Sequence, residues 1–409
     1  MRIDVIVNTT ARRYESAPGL VNELRGVAHG HAVFHATRDL EELDHVCAAA
    51  AHAKSDLVVL TGGEPSLHPE LPEVVRYAKS QGLHVRMITN GSRMADPDFA
   101  ARIADAGLDL VHVSIYSVRP DVEEKLRGMP GTLDKAFGAI EQALRHGIPV
   151  NVNCVINKLN ADHLDETVAY LIEHHPGVRH FVWNNLDPSM GRAEVNQDLY
   201  LHRMADLRAS LYRALRLLHL SGRTFRVERV PLCFMPEFAW ASTETRKIVK
   251  GEERLVHFLD AKQTVRQQSF EHVYAATCHE CSVRNICGGL FERGAAYDPA
   301  ELHALQVPMR PIVEQVITDP SDPSYAFRDY EAWQADFEER LAELRATPAP
   351  DPHDEMPPHY MRPEAPPVGV VTEESLRAFE KGLRVAEKKA AKTGVAVEHV
   401  RTQLPVIDS

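Results

Sequence analysis

Four cysteines carry the most specific chemistry in this chain. Cys278, Cys281 and Cys287 stand at C-x2-C-x5-C spacing, and Cys233 lies earlier, so one region offers four thiols. Four thiolates close either a tetrahedral zinc site or a four-iron four-sulfur (4Fe-4S) cluster, and leave no open coordination position. Gly288 and Gly289 directly follow Cys287, where a turning backbone could present N–H groups to inorganic sulfide. Buried apolar packing is a weak account of three cysteines so close together. Zinc, with His279 as a substitute ligand, is the lesser alternative to one 4Fe-4S cluster held by Cys233, Cys278, Cys281 and Cys287. A second chemical feature is "LVVLTGGEPSLHPEL", residues 57 to 71, an apolar strand running into two glycines, an acid and a proline. Such a turn at the carboxyl end of a strand is where α/β proteins hold ligands.

The elements that must position these residues follow from periodicity. Apolar runs at residues 3 to 7, 31 to 36, 57 to 61, 84 to 88, 110 to 115, 149 to 156 and 180 to 183 read as strands. Helical spacing appears at 39 to 53, 69 to 80, 97 to 106, 132 to 146 and 162 to 174. Strict βα alternation implies a parallel sheet with helices outside, and the near-continuous apolarity of the strands implies that both faces are covered. Periodicity alone does not separate an open doubly wound sheet from a curved barrel fragment.

After about residue 190 the alternation gives way to a long helix, residues 200 to 220, a strand-like "TFRVERVPLCF" and the irregular cysteine region. Residues 347 to 371 hold eight prolines, an extended linker or surface tail. Thr372 then caps a terminal helix that runs to Gly394. The expected division is 1–56, a divergent strand and helix region; 57–195, the main α/β part; 196–310, connecting helix and cysteine module; and 311–409, a C-terminal extension.

The net charge of −12 disfavours general nucleic-acid binding or an anionic membrane as partner. No long uncharged apolar run and no signal-type N-terminus is present, so a cytoplasmic location is expected. With only six cysteines, four of them grouped, metal binding in a reducing compartment fits better than a disulfide framework.

"LVVLTGGEPSLHPEL", "LHVRMITNGSRM", "LVHVSIYSVRPDVEEKLRG" and "VNVNCVIN", in that order and at βα spacing, resemble consecutive strands of the radical S-adenosylmethionine (SAM) superfamily. The grouped cysteines resemble the auxiliary-cluster extension of its SPASM and Twitch branch. The resemblance implies an α/β fold with a partial (β/α)6 TIM-type barrel, binding SAM at the carboxyl ends of its strands. It also implies that Gly62, Gly63, Glu64 and Pro65 receive the methionyl amino group. Asn90 matches the end of the next strand, and Ser114 and Asn153 fall where the family contacts ribose or carboxylate. Arg127 is a candidate partner for the SAM carboxylate, because a guanidinium fork grips carboxylates at two points. Tyr116, Glu64 and Asp187 are the candidate catalytic groups; each has an alternative role as a cap or turn residue.

The family's radical-generating loop, CxxxCxxC, has no counterpart here, since no cysteine precedes Cys47. Its place holds "HGHAVFHATRDLEELDH", with His29, His31 and His35, and neutral imidazoles do not substitute for three thiolates on a low-potential cluster. "IDVIVNTTARRY" is in addition similar to the start of diacylglycerol kinase-type lipid kinases, a likeness that ends at the glycine turn. The expectation is a SAM-binding enzyme that uses the sulfonium by a polar route, such as aminocarboxypropyl transfer or cyclisation giving methylthioadenosine. Two alternatives stay open: a catalytically silent relative that binds a peptide or a partner enzyme, and a true radical enzyme with an unusual cluster site. The substrate is a small molecule or a peptide.

Overall fold

The structure of the protein, a computed structural model, describes residues 4–8, 32–34, 57–61, 64–68, 70–80, 82–188, 193, 196–251, 254–257, 264–267, 272–291, 296–319 and 329–346. Gly62, Gly63, Cys47, His29, His31, His35, the helix expected at 39 to 53, the Pro-rich linker and the terminal helix lie outside the described residues. The chain divides into two compact units, Met1–Pro350 and Asp351–Ser409.

One parallel sheet organises the first unit. Its strands are β1 Asp4–Asn8, β2 Ala32–Phe34, β3 Leu57–Thr61, β4 His84–Thr89, β5 Leu110–Ser114, β6 Val150–Ile156, β7 His180–Asn185 and β8 Thr224–Glu228. They lie in the order β2-β1-β3-β4-β5-β6-β7-β8. From β3 to β8 each strand pairs in parallel with its successor in the chain, which is the partial (β/α)6 arrangement. A parallel neighbour needs a crossover to return the chain. These crossovers are α1 Leu71–Ser80, α2 Pro97–Asp105, the pair α3 Pro120–Arg127 and α4 Thr132–Arg145, α5 Leu164–His174, and α6 Met204–Leu220.

Local chemistry sets where these helices begin and end. Asp96 caps α2, accepting from the N–H groups of Asp98 at 2.9 Å and Phe99 at 3.4 Å, with Pro97 in the first turn. α3 stops at Gly128, whose φ of 73° gives the left-handed cap. Gly91, just past β4, combines a φ of 85° with close packing on α4: a Cβ there would sit 2.9 Å from the Ala136 Cα. Only glycine lets the strand end approach the helix so closely.

The strands do not have two covered faces, as their apolarity suggests. In β4, β6 and β7 burial alternates: Val85, Met87, Val150, Val152, Cys154, Phe181 and Trp183 are buried, whereas Arg86, Asn151, Asn153, His180, Val182 and Asn184 are half-buried. One face is dry, and the other stays within reach of water. The polar residues Asn151, Asn153 and Asn184 report the difference, since an amide on a fully covered face would need its own partners.

The sheet also continues past residue 195. α6 packs beside α5, and β8 adds to β7 as the sixth consecutive strand, so "TFRVE" belongs to the barrel and the module starts after it. That module consists of turns at Leu232–Phe234 and Pro236–Ala241, α7 Thr243–Lys250, two small antiparallel pairs and the cysteine turns. α8 Met309–Ile317 and α9 Tyr330–Ala346 complete it. Their residues Ile312, Val313, Val316, Trp333 and Phe337 share a second hydrophobic core with Leu232, Val249, Val283 and Ile286. The Trp333 indole N–H donates to the Val249 carbonyl at 2.6 Å. α8 and α9 thus pack with the cysteine module.

Candidate functional site

At the carboxyl end of β3, the Glu64 carboxylate is buried and accepts three hydrogen bonds. The donors are the Ser66 N–H at 3.0 Å, the Thr89 hydroxyl at 2.6 Å and the Asn90 N–H at 2.6 Å. The acid therefore ties the end of β3 to the end of β4. Pro65 starts the short 3-10 turn that follows, and the Asn90 side chain accepts from the Ser92 N–H at 2.8 Å. Glu64, Pro65 and Asn90, singled out separately in the sequence, form one hydrogen-bonded edge of the barrel mouth.

β5 ends in a clamp. The Glu123 carboxylate, fully buried on α3, accepts from the N–H groups of Tyr116 at 2.8 Å and Ser117 at 2.9 Å, and from Arg127 Nε at 2.9 Å. Arg127 also donates from Nη2 to the Ser114 carbonyl, and its guanidinium lies 4.6 Å over the Tyr116 ring. The residue expected to grip the SAM carboxylate is thus already bonded to Glu123 and to the backbone of Ser114. Ser117, His163 and Asp162 form a hydrogen-bonded chain, at 2.8 Å and 2.5 Å, that resembles a nucleophile with its base. Ser117 is completely buried, so this chain fastens the loops after β5 and β6 to each other and offers no accessible nucleophile.

Ser114 lies opposite Asn153 in the β5–β6 register, and the Asn184 amide donates to Asn153 Oδ1 at 2.7 Å. Those three side chains span β5 to β7. Asp187, just beyond β7, is buried, and the Tyr297 hydroxyl reaches the same loop by donating to the Leu186 carbonyl at 2.8 Å. Burial pushes the Tyr297 phenol up, so it remains a proton donor at neutral pH. Tyr297 comes from the segment after the cysteines, and only folding brings it to the mouth.

The end of β8 holds acids that sequence reasoning missed. Arg229 has a φ of 62°, and its N–H donates to the buried Glu244 carboxylate at 3.1 Å. Burial, reinforced by the neighbouring Glu228 charge, raises the Glu244 carboxyl to about 7. A raised carboxyl contributes stability that is complete below its unfolded value and is lost as pH rises through the folded one. Thermal melts should therefore lose stability between about pH 4.5 and 7, and Glu244→Gln should flatten that loss. Equal pH slopes for the two proteins would refute this.

All four grouped cysteines line one recess, partly open to solvent, together with Leu232, Tyr274, Arg284 and His303. It lies at the seam of the two cores. Cys233 and Cys278 pack with the barrel core, Cys281 and Cys287 against the second. Gly289 and Leu305 donate N–H groups to Cys287 Sγ at 3.3 Å and Cys281 Sγ at 3.4 Å. Burial pushes the Cys233 thiol up to about 12, partly offset by the His303 N–H, and raises Cys287 against the N–H groups of Leu232 and Gly289. Four thiols around one space, three of them supplied with amide donors, suit thiolates on a cluster, whose sulfurs are tuned by such bonds. Among the described residues, no three His, Cys, Asp or Glu side chains come close enough to hold a single metal ion, and the thiols border a shared space instead. Gly289 has another use than approach to sulfide: at φ 73°, a Cβ would meet the Tyr274 ring and the Val273 carbonyl at 2.9 Å.

No helix among the described residues is long and apolar enough to cross a membrane. Residues 32–171 match the family model described as "Radical SAM superfamily". Fe-coproporphyrin III synthase of Methanosarcina barkeri is 29% identical over 168 residues, 41% of this chain and 41% of that protein. PqqA peptide cyclase of Ruegeria pomeroyi is 32% identical over 114 residues, 28% of this chain and 30% of that protein. The chain thus spans less than half the length of these curated relatives. Streptococcus suis SuiB bound to S-adenosylmethionine superposes with a TM-score of 0.47 at 14% identity, covering 72% of this chain and 76% of that one. The chain carries a domain of the radical SAM superfamily.

Proposed function

We propose that this protein binds SAM at the carboxyl ends of its strands and one 4Fe-4S cluster in the cysteine recess, and uses SAM by a polar route. The cysteine inventory carries the reading. Of six cysteines, four line the recess, and Cys154 is buried on the helix-covered face with Sγ 3.7 Å from the Tyr116 carbonyl and 3.6 Å from the Asn160 amide. Only Cys47 remains, too few thiolates for a second cluster with an iron open to the sulfonium. A cluster bound by Cys233, Cys278, Cys281 and Cys287 would cross-link the two cores.

The turn Gly62-Gly63-Glu64-Pro65, with Asn90, Ser114 and Asn153, is the proposed SAM cradle. Arg127 serves it by holding the Ser114 carbonyl. Tyr116, Glu64 and Asp187 remain the candidate catalytic groups; the Glu64 carboxylate also ties two strand ends together, and the Tyr116 ring lies under the Arg127 guanidinium. In aminocarboxypropyl transfer or cyclisation, a nucleophile attacks the Cγ of the methionyl chain and the C–S bond breaks. The electron pair stays on sulfur, which leaves as neutral methylthioadenosine; no electron is needed. The peptide cyclase among the relatives supports a peptide as one class of second substrate, beside small molecules.

The test is anaerobic incubation with SAM, with and without dithionite, and separation of the nucleosides. Methylthioadenosine without reductant is the expected product, with no 5'-deoxyadenosine above background. Reductant-dependent 5'-deoxyadenosine would sink the polar reading.

A further inference from the structure

Below the mouth, the half-buried face of the sheet carries a row of polar side chains that neither the cluster nor the SAM site uses. Strand register aligns it: His112 lies opposite Asn151, Asn151 opposite His180, and His180 opposite Thr224. Because side chains alternate between faces, these four share one face across β5 to β8. His180 Nδ1 and Thr224 Oγ1 are 2.8 Å apart. No hydrogen bond to His112 is found among the described residues.

Two guanidiniums stand beside the row. Arg86 lies one pleat below it on β4, and Arg226 one pleat above Thr224 on β8. Both depress the His180 imidazole, and Arg86 depresses that of His112. Burial is the larger cause for each, bringing His112 to about 4 and His180 to about 3. The only described carboxylate bonded to Arg226 is Asp319, at 3.2 Å, and it is shared with Arg246 at 3.0 Å. Half-buried neutral imidazoles, each carrying one ring N–H to donate and set beside cations, suit an oxyanion. A purely structural row would gain by being apolar, because polar groups kept on an inner face without full pairing cost stability.

We propose that the His112–Asn151–His180–Thr224 row, flanked by Arg86 and Arg226, binds a small oxyanion group, the phosphate or carboxylate end of a larger molecule. The site depends on neither SAM nor iron, so its test is separate from that of the proposed activity. The full chain, purified anaerobically with histidine rings isotope-labelled, is titrated with inorganic phosphate and, separately, with acetate at matched ionic strength. Two imidazole resonances should shift saturably, and each should be absent from one of His112→Asn and His180→Asn. A bound anion stabilises imidazolium, so the two groups should also titrate at higher pH in its presence. Calorimetry should show affinity about tenfold or more weaker in the double variant, as expected when charge-assisted bonds are lost. Saturation by phosphate alone identifies a phosphate ligand, and saturation by acetate alone a carboxylate. Failure of both to shift these resonances in the unmodified protein, or drift shared by every histidine, would overturn the site.

Discussion

Cys281→Ala is expected to remove most of the iron from anaerobically purified protein and to loosen everything beyond β8. The unmodified chain should hold about four irons, the content of one cubane. The expected loss is large because of where the thiols sit: Cys233 and Cys278 belong to the barrel core, while Cys281 and Cys287 pack against the core that includes Trp333 and Phe337. A metal centre joining two cores contributes its binding free energy to folding, which for structural metals is on the order of 10 kcal/mol. Thermal melts of the variant should show the module unfolding before the barrel. Cys154→Ala, at a thiol buried away from the recess, should leave the iron content unchanged. Stoichiometric zinc without sulfide, or about eight irons per chain, would contradict the assignment, since eight is the content of two cubanes.

The second large effect concerns Arg127. Its side chain is 10% exposed, its partner Glu123 0%, and their Nε–Oε1 distance is 2.9 Å. Arg127→Met leaves a buried carboxylate with its main counter-charge gone, a change that typically costs about 3–5 kcal/mol. Urea denaturation should show a loss of that order, and the double variant Glu123→Gln/Arg127→Met should lose less than the sum of the single changes. If Arg127→Met unfolded like the unmodified protein but lost SAM binding, Arg127 would be a ligand and not a strut.

Much of the site was legible as a line of residues. The βα alternation specified a parallel sheet because crossover helices and buried strands leave different periods, and "LVVLT" lies at Leu57–Thr61 as read. The grouping of Cys278, Cys281 and Cys287 followed from spacing, because three ligands on one short loop need no knowledge of the fold to be seen as a set. Cys233 lies far from the other three along the chain, and tertiary structure brings it to the same recess.

What sequence could not decide were the partners of each polar group. By residue type and position Glu64 and Arg127 suit a ligand; folding gives Glu64 three donors from the end of β4 and its own turn, and gives Arg127 a carboxylate on α3 and a carbonyl on β5. The roles of Glu244 and Tyr297, and the alignment of His112 with His180, are not visible along the chain, because their meaning lies in what faces them across the sheet or from a later segment. Residue type and spacing determine which elements form and which groups can do chemistry. Only the packed chain determines which of those groups are neutralised by neighbours and which are left facing a cavity, because burial and hydrogen bonding depend on contacts between residues far apart in the chain.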